Sequence, residues 1–200
     1  GNQLSRTWDT LRASGPSEQR FNSVSSPLSL SRDGDYVIPV FKSCFIRPGT
    51  SCAGDNLKDV NLSGANLANM DFTGAYMKNA KLTVTLLDGA NFTDAYMKGA
   101  DFSDAKGVRT KLGARSLADA NFSRVTLNFP EATGTSFLRS KWIEAKVEKG
   151  DFSSSNFYKA NFKDAYVINT DMRATKLRGV SWDGAEVFGG SFYGSEGNRP

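Results

Sequence analysis

From Asp55 to Gly194 large apolar residues return every fifth position, and the register holds through 28 consecutive pentads. The apolar centre of each pentad falls at a number ending in 2 or 7, beginning Leu57, Leu62, Leu67, Phe72 and Met77. Only Gly107 and Ala132 interrupt the run of large side chains there. Two residues before the centre, Ala, Gly, Ser or Thr fills 21 of the 28 positions, as a crowded, inward-facing backbone demands. One residue before it, Asn and Asp recur: Asn56, Asn61, Asn66, Asp71, Asn91, Asp101, Asn121, Asp151, Asn156, Asn161 and Asp171. Two residues after it, Gly, Asp and Asn are common, and these tolerate tight corners. A period of five fits neither the 3.6 of a helix nor the 2 of a flat strand, so each pentad reads as a short extended stretch followed by a corner. One uninterrupted period also argues for a single solenoid domain with one continuous core.

The pattern A-[D/N]-[L/F]-x-x, as in Ala65-Asn66-Leu67-Ala68-Asn69 and Ala90-Asn91-Phe92-Thr93-Asp94, closely resembles the pentapeptide-repeat family over 140 residues. The resemblance implies an all-β fold, a right-handed quadrilateral β-helix with four pentads per coil and hence about seven coils. Tyr76-Met77-Lys78-Asn79-Ala80 recurs twenty residues on as Tyr96-Met97-Lys98-Gly99-Ala100, which supports a twenty-residue coil. Seven coils at the usual strand spacing make a rod about 34 Å long. Reading every twentieth residue gives four core ladders, starting at Leu57, Leu62, Leu67 and Phe72 and ending at Leu177, Trp182, Val187 and Phe192.

Once the register is fixed, outward residues sort onto four faces, which is where function belongs in a solenoid. The face on Leu57 to Leu177 is basic, with a net charge of +5, and its candidate interaction residues are Lys58, Lys78, Lys98, Arg139, Lys159 and Arg178. Tyr76, Tyr96 and Tyr158 are expected to be displayed beside those lysines. The opposite face, on Leu67 to Val187, places Leu86, Val108, Phe129, Tyr166, Ile168 and Phe188 where the repeat normally has polar residues, and an exposed apolar set marks an interface. The face on Phe72 to Phe192 is acidic, net −3, and the fourth is balanced. Gly107 and the Pro130-Glu131-Ala132 segment are expected to be looser or locally bulged.

Residues 1–49 do not follow the period and read as an N-terminal arm and cap, residues 50–194 as the β-helix, and residues 195–200 as a short tail. Ser5–Ala13 suits a short helix and Asp33-Gly34 a turn before Tyr36. Cys44 and Cys52 leave two readings open: Cys52 scans as a pentad centre and points inward over Phe72, or the pair closes a disulfide in an oxidising compartment. Asn61, Asn91 and Asn121 match the glycosylation sequon as by-products of the repeat.

The chain contains no histidine, which removes the commonest general base and metal ligand, and a core filled by large side chains leaves no internal pocket. No enzyme, cofactor or metal role is therefore expected, and no apolar stretch is long enough to span a bilayer. The expected role is a non-enzymatic scaffold, a subunit or assembly factor that binds other proteins through its faces, its N-terminal arm and an uncapped last coil. Nucleic acid ranks well below protein as a partner, because the basic residues lie on a flat face without a groove. The resemblance implies cyanobacterial and chloroplast settings, and the thylakoid lumen is placed ahead of the cytoplasm; Gly1 in place of Met leaves a processed mature form, a fragment and a cleavage scar open, the first compatible with import into an organelle. The alternative implied by the resemblance is a DNA mimic acting on type II topoisomerases, as in quinolone resistance. Its carboxylate rows and C-terminal dimer helix are not matched by this chain, whose most charged face is basic.

Overall fold

The structure, a computed structural model, describes residues 44–200 together with the backbone of three short strands before them. It is a right-handed, four-sided β-helix. The described residues include the strands β1 (Gln19–Arg20), β2 (Arg32–Asp33), β3 (Tyr36–Val37), β4 (Phe45–Ile46), β5 (Lys106–Val108), β6 (Thr126–Asn128), β7 (Lys146–Glu148), β8 (Tyr166–Ile168), β9 (Lys176–Leu177), β10 (Glu186–Phe188) and β11 (Glu196–Gly197). No helix occurs among the described residues. Strands β5, β6, β7, β8 and β10 stack in parallel, each exactly one coil after the last, as in Gly107↔Leu127 and Val147↔Val167. This sheet has five turns of extended strand against the seven coils expected; on the other sides single bridges carry the same twenty-residue step, as in Ser51↔Asp71 and Asp171↔Ser191.

The five-residue period follows from where the backbone hydrogen bonds go. Around Met77, the preceding Tyr76 N–H donates to Asp55 of the coil before (2.9 Å) and the Met77 N–H to Tyr96 of the coil after (2.8 Å). The corner residue Asn79 donates onward to Lys98 (2.9 Å), and Ala80 closes the corner by donating back to Met77 (3.0 Å). Where Asn or Asp stands one residue before a centre, its side chain has the right reach to accept the N–H of the residue directly after the centre. All eleven Asn and Asp residues named above accept this bond, from Asn56 to Lys58 N–H at 3.2 Å through Asn161 to Lys163 N–H at 2.9 Å. Asn61, Asn91 and Asn121 are among them, so the sequon asparagines hold corners.

Inside, aromatic centres stack coil upon coil: Phe102 on Phe122 at 4.8 Å, Phe122 on Trp142 at 4.2 Å and Phe162 on Trp182 at 4.6 Å between ring centroids. Buried hydroxyls at the small positions are satisfied, as Thr85 Oγ1 donates to Leu82 O (2.7 Å) and Ser155 Oγ to Ala132 O (2.6 Å). Neither Gly107 nor Ala132 bulges. Gly107 stays paired in β5, and the space of its missing side chain is filled by Thr110, whose Oγ1 donates to Leu87 O at 2.9 Å. The irregular corner lies instead at Gly113–Arg115, where Ala114 is buried one position early and Arg115 turns outward.

At the N-terminal end β1 pairs antiparallel with β4, and β2 antiparallel with β3, while Gly34 of the expected turn lies outside the described residues. The proposed helix at Ser5–Ala13 lies outside the described residues. Cys44 and Cys52 form a disulfide, and both are buried. Inward and bridged are thus compatible. At the other end, β11 pairs in parallel with β9, and Asn198 accepts from Trp182 Nε1 through its carbonyl (2.8 Å), so residues 196–198 continue the ladder instead of trailing from it.

Candidate interaction surfaces

The position after each centre and, Ala114 apart, the corner position point outward, so residues twenty apart make columns. On the basic face Lys58, Arg139, Lys159 and Arg178 are exposed, and Lys78, Lys98, Tyr96 and Tyr158 are half-buried. Tyr76 is not displayed: it is 1% exposed, its ring stacked on Tyr96 at 5.4 Å. Stacking one coil on the next lets a tyrosine lie along the wall where an isolated one would project. The basic charge is also partly matched. Arg139 forks onto Asp119 of the coil below (2.7 and 2.8 Å), and those bonds, opposed by slight burial and helped by Lys98, hold the Asp119 carboxyl below its ordinary range. Arg124 does the same to Asp104 on a neighbouring side. Lys159 lies 5.3 Å from the Tyr158 ring.

On the opposite face Leu86, Val108, Phe129, Tyr166 and Phe188 are exposed to solvent on and beside the five-stranded sheet, with Ile168 half-buried among them. Phe129 occupies a corner at φ 54°, between Arg109 and Lys149 of the adjacent coils, whose charges lie 5.9 and 5.3 Å from its ring. A bulky residue in left-handed backbone costs about 1–2 kcal/mol and does so here without burying its ring. A shallow depression of about 500 Å³ lies beside it, lined by Thr126, Asn128, Lys146, Glu148, Tyr166 and Ile168. Val84, one corner before Leu86, was absent from the sequence-derived set; it is 62% exposed at φ 58°. Its signal was legible, a β-branched residue in a slot that favours Gly, Asn and Asp.

The family model for pentapeptide repeats matches this chain in eight copies, over residues 56–94, 77–106, 85–113 and 143–173. The repeat region belongs to the pentapeptide-repeat family. Solved structures similar to it include HetL, a pentapeptide-repeat protein involved in heterocyst differentiation regulation from the cyanobacterium Nostoc sp. strain PCC 7120, at 18% identity and TM-score 0.32, covering 74% of this chain and 87% of that one. Full-length QnrB1, a plasmid-mediated fluoroquinolone resistance protein, matches at 14% and 0.44, covering 76% and 85%. A pentapeptide-repeat protein from the Arabidopsis thaliana thylakoid lumen matches at 23% and 0.29, covering 59% and 65%. None of the curated proteins gives a significant match.

The third side of this pentapeptide-repeat helix is acidic, but its carboxylates are turned to local use. Asp71 accepts from Thr73 Oγ1 (2.5 Å) and Asp171 from the Arg173 guanidinium (2.6 Å); each bond holds its carboxyl below the ordinary range. Asp55 is buried at a small-residue position, its carboxylate within 4.8 Å of both disulfide sulfurs. Those sulfurs are bonded to each other and do not offer a thiolate pair to a metal. No helix is long and apolar enough to cross a membrane among the described residues.

Proposed function

We propose that this pentapeptide-repeat protein is a non-enzymatic scaffold, a subunit or assembly factor of a larger protein complex, that docks through its apolar face. The observation carrying this reading is the apolar set Leu86, Val108, Phe129, Tyr166 and Phe188, exposed along one side of a rod whose interior is already filled. Side chains that serve only the fold are buried here or cap a corner; these do neither. The basic face, with Lys58, Lys98, Lys159 and Arg178, serves as a second contact. The buried Cys44–Cys52 disulfide favours an oxidising compartment, in keeping with the thylakoid lumen ahead of the cytoplasm. A DNA-mimic role is less well supported, because Asp71, Asp151 and Asp171 hold their own corners and form no free carboxylate row.

Cross-linking mass spectrometry on the complex from the native source tests the reading. Links from Lys106, Lys146 and Lys149 to one defined protein are expected, with fewer from Lys58 and Lys98. Recovery of the chain as a free monomer without links from the apolar face refutes it. Protection of gyrase from a quinolone in a supercoiling assay would favour the alternative.

A further inference from the structure

The apolar face carries cations that have no ion-pair partner among the described residues. Among the described residues Lys106, Arg109 and Lys146 enter no ion pair, whereas Lys149 meets Glu148 at 2.9 Å. Arg109 and Lys146 lie instead over the rings of Phe129 (5.9 Å) and Tyr166 (6.0 Å). Lys106, Arg109, Lys146 and Lys149 thus stand against Glu148 alone on strands β5 to β7 and the corners that follow them. Unpaired cations interleaved with exposed rings are complementary to carboxylates interleaved with apolar groups.

Spacing narrows the partner further. Stacked strands are about 4.8 Å apart, so Lys106 and Lys146, two coils apart, stand about 10 Å apart along the rod, as do Arg109 and Lys149. A polyproline-II segment returns to the same side every three residues, about 9.3 Å, whereas a β-strand does so at about 6.7 or 13.4 Å. Segments of that kind dock on aromatic-lined grooves, and the depression edged by Tyr166 and Ile168 offers one such ring beside Lys146. We propose that this face binds an acidic partner segment in polyproline-II conformation, with a carboxylate at every third residue, lying along the rod axis. The proposal rests on the docking reading above and adds the partner's chemistry.

The test is fluorescence anisotropy of labelled (Glu-Pro-Pro)4 titrated with the full chain. Saturable binding is expected, weakened about tenfold when salt rises from about 50 to about 300 mM. The double variant K106E/K146E, checked for an unchanged circular dichroism spectrum, should also weaken it by about tenfold or more, while K58E/K98E on the opposite face leaves it unchanged. Equal binding of (Ser-Pro-Pro)4 overturns the proposal, as does tighter binding of a helical peptide with glutamates seven residues apart, an equal loss in K58E/K98E, or no binding at all. Should the native cross-links place a non-acidic segment on this face, the docking reading stands and this inference falls; should they avoid the face, both fall.

Discussion

Asn156→Ala, Asn156→Ser and Asn156→Asp form a graded test of what sets the period. Asn156 Oδ1 accepts the half-buried Tyr158 N–H at 3.0 Å, the one backbone donor of its pentad without a main-chain acceptor. Loss of a capping acceptor costs about 1 kcal/mol, and partial burial of the orphaned N–H places Asn156→Ala at about 1–1.5 kcal/mol. For a chain of this size that lowers Tm by about 2–6 °C. Serine reaches the same donor less well: where Ser51, Ser116 and Ser191 stand in this slot the bond lengthens to 3.2 or 3.3 Å. Asn156→Ser should therefore fall about midway. Aspartate keeps the acceptor, and Lys176 follows it one coil on, so Asn156→Asp should be within about 0.5 kcal/mol of the parent. Urea unfolding followed by circular dichroism ranks the three. If aspartate proved as destabilising as alanine, or alanine were silent, the corner bond would not be what selects Asn and Asp.

Three further outcomes follow from the same geometry. In Gly107→Val the new Cβ would lie 2.2 Å from Thr110 Oγ1 and 3.0 Å from Leu87 Cβ, so a loss of about 1–3 kcal/mol is expected, partly recovered by adding Thr110→Ala; equal stability in thermal melts would refute the packing. Because the folded carboxyls of Asp104 and Asp119 titrate below their unfolded values, their pairs contribute above the unfolded pKa, and the contribution is lost as pH falls through the folded pKa. Carboxyl-detected NMR titration should show both midpoints below the ordinary range, with Asp119 returning towards it in Arg139→Leu. The disulfide closes a loop with a sequence separation of 8, so reduction should cost about 2–3 kcal/mol on chain-entropy grounds, read as a lower urea midpoint in the presence of a phosphine reductant.

Most of the fold was legible because each slot of the pentad has one physical job. The centres, the small inward positions outside Gly113–Arg115 and the Asx caps fell where the period placed them, and a one-residue slip would have turned every centre out of the core. What escaped the pattern depends on contacts between coils. Tyr76 occupies an outward slot and yet is buried, because a stacked ring can lie flat on the next one. Gly107 looked like a defect because sequence shows a missing side chain, not the Thr110 that turns in to replace it. The true irregularity at Gly113–Arg115 leaves the numbering intact and shows in the sequence only as Arg115 in a slot that is usually small.

The same logic separates structural from functional deviations. Where a residue departs from its slot and the departure is compensated within the chain, as at Gly107, Tyr76 and Thr110, the fold accounts for it. Val84 and Phe129 remain exposed. Each holds a bulky side chain in left-handed backbone at a cost of about 1–2 kcal/mol, and each leaves much of its apolar surface in water. Glycine or asparagine would serve those corners better on stability grounds alone, as Gly89 and Asn169 do in the column of Phe129. Val84→Gly and Phe129→Asn should accordingly leave the fold at least as stable while weakening attachment to the partner complex. Loss of stability in both would return these residues to the fold and leave the face without its strongest mark of function.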